Sequence, residues 1–210
     1  VNTNTLAISD GSGIATNYTL TNGTLTMTIV PRSTTVSGTK TYDGTTNVSS
    51  SNLTSFSNLA GSDTLSLSGT GTISSADVGT GKTVNTSGLT IDNSSGVGSN
   101  YTLSAATVNV TERVIGLSGV RAFDGTNNAS SADLSISNLV SGENLTLSGS
   151  GTVPNATVEM NKAITLGSLS ISDGSGGKSS NYKLTGGSHT LDISQLSVNV
   201  TGSRQYDGTK

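Results

Sequence analysis

The tetrapeptide Tyr42-Asp43-Gly44-Thr45 returns as Phe123-Asp124-Gly125-Thr126 and again as Tyr206-Asp207-Gly208-Thr209, at intervals of 81 and 83 residues. A second marker keeps the same beat: Asn17-Tyr18-Thr19-Leu20, Asn100-Tyr101-Thr102-Leu103 and Asn181-Tyr182-Lys183-Leu184. Two motifs recurring in order, at the period of one small domain, imply a serial array whose units fold to one plan. The spacing divides the chain into the end of one repeat (1–30), two complete repeats (31–112 and 113–194) and the start of another (195–210). Such arrays are usually built for reach rather than chemistry.

Composition narrows what each unit can be. Hydrophobic residues are 31% of the chain and charged residues 11%, with a formal net charge of -3. Disordered tracts pair low hydrophobicity with high net charge, and this chain is nearly neutral. Its abundant Thr and Val suit half-solvated pleated surfaces. The run Leu65-Ser66-Leu67-Ser68-Gly69-Thr70-Gly71-Thr72 reappears as Leu145-Thr146-Leu147-Ser148-Gly149-Ser150-Gly151-Thr152, and both alternate as a half-buried strand does. Leu89-Thr90-Ile91-Asp92 and Ala106-Thr107-Val108-Asn109-Val110 read the same way. No window carries apolar residues at three-and-four spacing, and Gly interrupts the longer runs. The expected fold is all-β: tandem immunoglobulin-like β-sandwich domains in an end-to-end rod, with six or seven strands per repeat. A β-grasp-like or solenoid topology would pattern similarly, although solenoid coils repeat every 20–30 residues or so and no such inner period is present.

Units of this size have thin cores, and the chain has no Cys. Contacts between neighbouring repeats are therefore expected to add stability. The seams are short: Met27-Thr28-Ile29-Val30-Pro31-Arg32, Val110-Thr111-Glu112-Arg113-Val114 and Ile193-Ser194-Gln195-Leu196. Pro31 lacks a backbone donor and belongs at a strand start or edge. Short seams restrict the angles that neighbours can sample.

Six of the seven aromatic residues sit at the two markers: Tyr18, Tyr42, Tyr101, Phe123, Tyr182 and Tyr206, with Phe56 the exception. In so small-sided a chain each ring supplies a large share of buried area. Phe123 keeps the ring and loses the hydroxyl, which points to a packing role rather than a reactive phenol. The Asp-Gly that follows is a turn signal, and a cation (Lys40, Arg121 or Arg204) stands two residues before each ring. An anchored strand-turn is the plain reading of Asp43-Gly44, Asp124-Gly125 and Asp207-Gly208. An acidic ligand site on Asp43 or Asp124 is the sharper alternative.

The chain offers little else for chemistry. His189 is the single histidine, is expected at the surface, and has no Cys to share a zinc with. Gly79-Thr80-Gly81-Lys82-Thr83 resembles a phosphate loop superficially, but Ala76 stands where its first Gly belongs. No catalytic residue, cofactor or metal is assigned, and calcium loops would need clustered carboxylates. Sequons at Asn17, Asn85, Asn100, Asn144 and Asn199 are what an Asn-, Ser- and Thr-rich chain produces by composition. No apolar run approaches the roughly 20 residues of a membrane span, and no basic patch favours nucleic acid.

The element Gly38-Thr39-Lys40-Thr41-Tyr42-Asp43-Gly44-Thr45, followed by the alternating strand and the Asn-Tyr-Thr-Leu marker, resembles the YDG repeat. Such repeats occur in very large secreted bacterial proteins similar to filamentous haemagglutinin-type adhesins, often beside related MBG repeats. The resemblance covers essentially the whole chain; Phe123 and the Pro-free seam at Arg113-Val114 depart from it. It implies an exported stalk of a Gram-negative bacterium, extracellular or on the cell surface, holding a binding region away from the cell. It brings no catalytic residues. The expected partners are neighbouring repeats of the same polypeptide. A self-assembling fibre of copies of the chain, or a repeat that binds host or matrix glycans, is the alternative.

Overall fold

A computed structural model describes residues 7–19 and 26–209. Among them there is no α-helix; strands, short 3-10 turns and loops make up the fold. Leu20 of the first marker lies outside the described residues.

The first repeat has seven strands: β1 (Arg32–Thr41), β2 (Asn47–Ser49), β3 (Leu53–Ser57), β4 (Leu65–Thr72), β5 (Gly79–Thr83), β6 (Leu89–Asn93) and β7 (Tyr101–Thr111). They form a four-stranded sheet in the order β3-β1-β7-β5 and a three-stranded sheet in the order β2-β4-β6. Alternation decides which side chains turn inward. In β1 Thr34, Val36 and Lys40 are buried, and in β7 Ala106, Val108 and Val110 are. Val36, Ala106, Val108 and Val110 share one core cluster with Val48, Leu53, Ile73 and Val84. Pro31 stands directly before β1, where its missing donor costs no ladder bond.

The second repeat follows the same plan with three strands broken in two. β8 (Arg113–Val114) and β9 (Gly116–Ala122) stand for β1, β12 (Leu145–Ser148) and β13 (Ser150–Thr152) for β4, and β16 (Tyr182–Lys183) and β17 (His189–Ser194) for β7. Between them run β10 (Asn128–Ser130), β11 (Leu134–Ser137), β14 (Glu159–Ala163) and β15 (Ser170–Asp173). The four-stranded sheet recurs as β11-β9-β17-β14.

In both repeats the first and last strands lie side by side and parallel. β1 pairs with β7 from Arg32↔Tyr101 to Thr41↔Thr111, and β9 pairs with β17 from Leu117↔His189 to Ala122↔Ser194. An immunoglobulin domain keeps its first strand at the edge of a sheet; here that strand sits between the third and the last. The strand order therefore departs from the immunoglobulin expectation. Parallel neighbours must be joined by a long crossover, and the rest of the repeat supplies it. One consequence shapes the functional site. Each repeat receives and releases the chain at opposite ends of the same parallel pair, so β7 runs into β8 across Glu112 alone.

His189 opens β17 half-buried, with its Nε2 2.9 Å from the Leu184 carbonyl oxygen, so it is not the surface imidazole expected from the alternating run. The Gly79–Thr83 run is strand β5. The Gly81 N–H donates to Asn109 Oδ1 and Lys82 Nζ donates to the Ser75 carbonyl, which leaves no phosphate cradle.

Candidate functional site

The aromatic-Asp-Gly element is a turn held by its own side chains. Asp43 Oδ1 accepts from the Thr45 N–H and hydroxyl, both at 2.9 Å, while Gly44 takes a φ of 75° that an L side chain rarely adopts. Lys40 is buried under the turn. It donates to the Thr45 and Asn47 carbonyls at 2.9 and 2.5 Å and pairs with Asp43 at 2.8 Å. Asp124 accepts from Thr126 in the same way, and Arg121 bridges Asp124 and the Thr126 carbonyl. The third copy repeats the pattern: Asp207 accepts from Thr209, and Gly208 has a φ of 78°. Tyr206 is 88% exposed. The carboxyls of Asp43, Asp124 and Asp207 are all held below the usual range. For Asp124 and Asp207 the largest cause is the N–H bond from Thr126 or Thr209; for Asp43 burial opposes the change, and Lys40 and Thr45 outweigh it. In both Asp43 and Asp124 these contacts fall on Oδ1, which is committed to its own turn.

The ring of Tyr42 faces the second repeat. It meets the marker residue Tyr182 edge to face, with centroids 5.4 Å apart and planes at 79°, a favourable arrangement for two π systems. Glu143, in the loop between β11 and β12, joins the two phenols. Tyr42 donates to its Oε1 at 2.5 Å and Tyr182 to its Oε2 at 2.8 Å. Tyr182 also accepts the Val140 N–H at 3.1 Å. Burial, reinforced by the Glu143 carboxylate, pushes both phenols above their ordinary values, so they stay protonated donors. Gly44 packs so closely on Val140 that a Cβ there would lie 2.7 Å from its Cγ1.

A polar cluster completes the joint. Asn181, the last residue of the 3-10 turn before Tyr182, is buried to 1% exposure. It accepts the Val78 N–H at 2.9 Å and donates to Asp77 Oδ1 at 2.9 Å. Lys178, which begins that turn, donates to Asp77 Oδ2 at 2.7 Å. The Lys178 ammonium and the Asn181 amide hold the Asp77 carboxyl down at about 2. Every polar group that the joint buries here has a partner, as a desolvated interface requires.

The two markers thus meet: the Tyr-Asp-Gly end of one repeat seats on the Asn-Tyr end of the next. Tyr42, Gly44 and Tyr182 come together at the joint. Tyr101, Phe123 and Asp124 lie at the outer ends of the two repeats, and Tyr18 and Tyr206 are exposed. The Tyr42 hydroxyl is also in use, so the ring is not the whole of what this position supplies. Sequence comparison missed Asp77, Val140, Glu143 and Lys178. It also missed a recurring clamp, in which Arg32 donates to the Asn58 carbonyl and side chain and Arg113 does the same to Asn138. Both Asn residues have positive φ, at 60° and 66°. The near-equal separations, Arg32 to Asn58 and Arg113 to Asn138, were the available signal.

Among the described residues no three His, Cys, Asp or Glu side chains are grouped to hold a metal ion, and no helix is long and apolar enough to cross a membrane. The arrangement joins one repeat of the chain to the next. No curated protein and no solved structure matches the chain. The family model of the YDG domain matches it twice, over residues 23–109 and 111–191. With a marker turn in each copy and most of the sequence covered, the chain belongs to the YDG domain family.

Proposed function

We propose that the chain is a stretch of stalk from a secreted or cell-surface bacterial adhesin, in which tandem β-sandwich repeats set end to end project a binding region for cell adhesion or biofilm formation. The observation that carries this reading is the joint. Successive repeats are linked by one residue and packed through the Tyr42–Glu143–Tyr182 cluster, an arrangement suited to transmitting length and direction. The partners of each repeat are its neighbours in the polypeptide, and no catalytic residue, cofactor or metal enters the reading. The immediate test is small-angle scattering on the 210-residue protein and on longer stretches of the same array, with a glycan-binding screen alongside. A spacer gives a maximum dimension that grows linearly with repeat number and no selective glycan binding. A compact bent particle, or tight binding of one glycan by these repeats, would overturn it.

A further inference from the structure

A pull along the chain has one path through each repeat. In the first repeat it enters at Arg32, the start of β1, and leaves at Thr111, the end of β7. Those strands are parallel neighbours, with Arg32 opposite Tyr101 at one end and Thr41 opposite Thr111 at the other. The pull therefore slides β1 lengthwise along β7, and the evenly spaced bonds of a parallel ladder take the load together. Force that opened the same ladder from one end would break its bonds one after another. The bonds and the folding free energy are identical in the two cases; only the direction differs. Strands β2 to β6 belong to the crossover between β1 and β7 and lie off the load path until the ladder gives.

The first ladder is long and sheltered. β1 runs ten residues, and its partner strand steps out of register once, at Ser104, whose hydroxyl donates to the Thr34 carbonyl at 2.9 Å across the step. The Tyr42 N–H carries the ladder one residue further, to the Thr111 carbonyl at 2.8 Å. β3 covers the outer side of β1 and β5 that of β7, so the loaded pair is the centre of its sheet. Thr34, Val36, Lys40, Ala106, Val108 and Val110 are at most 5% exposed, which keeps water from replacing a stretched bond on the core face. The second repeat has a shorter version. β9 and β17 hold register over the six residues of β17. The pairs Arg113↔Tyr182 and Val114↔Lys183 are set apart from it by the turn Leu184–Ser188, which lies opposite Ile115 and Gly116. Slack in that turn means that β17 bears the pull before β16 does.

We propose that these repeats bear tension, the parallel first and last strands of each acting as a clamp loaded in shear, and that the clamp of the first repeat is the stronger. Holding load is a function beyond holding distance. It rests on the stalk reading for the source of the tension, and on the strand order alone for the resistance.

Single-molecule force spectroscopy on the 210-residue protein tests it, with handles on pairs of engineered cysteines in a chain that has none of its own. Ser33→Cys with Thr111→Cys loads the first ladder in shear. Ser33→Cys with Thr102→Cys grips two ladder partners at one end and peels the same ladder open. Thr35→Cys with Ala105→Cys repeats the peeling measurement at a second pair of partners. Val114→Cys with Ser194→Cys loads the second repeat in shear. These positions are exposed, except Val114, which is half-buried. The length released on rupture, about 3.6 Å for each freed residue, verifies that the gripped repeat was folded before the pull. At one loading rate the first ladder is expected to rupture in shear at a force at least about twofold above its peeling force, since forced unfolding follows the barrier along the pull and not the equilibrium stability. The second repeat is expected to rupture in shear at a lower force than the first. Equal forces in shear and peeling, or a second repeat at least as strong as the first, would overturn the proposal. Either result would leave the spacer reading standing wherever scattering shows a particle that lengthens with repeat number.

Discussion

At the scale of single residues, Glu143 is the centre of the joint because one carboxylate satisfies two phenols from different repeats. Glu143→Ala strands both hydroxyls and is expected to lower the unfolding free energy by about 1–3 kcal/mol. Tyr42→Phe, which keeps the edge-to-face ring, is expected to cost under about 1.5 kcal/mol. Urea denaturation of the two variants checks the order; equal losses would mean that the ring contact, not the bridge, holds the site. Asp77 makes a second prediction. Its folded value of about 2 lies below the ordinary 3.8, so its contribution is present above about pH 4 and fades as the pH falls through about 2. The side-chain amide resonances of Asn181 should titrate with a midpoint near 2 and lose that titration in Asp77→Asn; a midpoint near 4 would show an unpaired carboxylate. The markers were legible in the sequence because they recur. Asp77, Glu143 and Lys178 were not, because Thr157, Asp63 and Val97 replace them in the other repeat. Overlaying repeats brings out what is shared, and these polar partners of the joint lie in what differs.

At the scale of elements, the alternating runs became strands with the faces they predicted. Leu65 and Leu67 turn inward from β4, and Ala106, Val108 and Val110 from β7. Period two is a local property and needs no knowledge of the fold. The parallel pairing of first and last strands is not local, and nothing in either strand marks its partner about 70 residues away. Gly38 and Gly119 record a similar long-range demand. A Cβ at Gly38 would lie 1.7 Å from the Asn52 carbonyl oxygen, and one at Gly119 would lie 1.9 Å from that of Asp133. Gly38→Ala and Gly119→Ala are each expected to cost about 3 kcal/mol, since backbone must move. Gly202 holds the corresponding place in the third copy and has nothing within 4 Å, so Gly202→Ala should be silent. Thermal melts of the three proteins read this directly, and a silent Gly38→Ala would show that β1 does not approach the Ser50–Asn52 turn closely in solution.

For the whole molecule, the repeat count and the short seams were legible from spacing, and the chemistry inside the seam was not. A tandem array transmits reach only if each joint fixes an angle, and one linking residue with a partnered polar cluster is the means seen here. The chain has no native Cys, so spin labels can be placed at single engineered cysteines, one replacing Thr54 in β3 and one replacing Ser135 in β11. The distance between them, measured by pulsed electron paramagnetic resonance, reports the geometry of the joint. A joint held by Tyr42, Glu143 and Asp77 predicts one narrow distance distribution that broadens in a Glu143→Ala/Asp77→Asn background. A distribution already broad in the parent protein, and unchanged by that pair of substitutions, would contradict it.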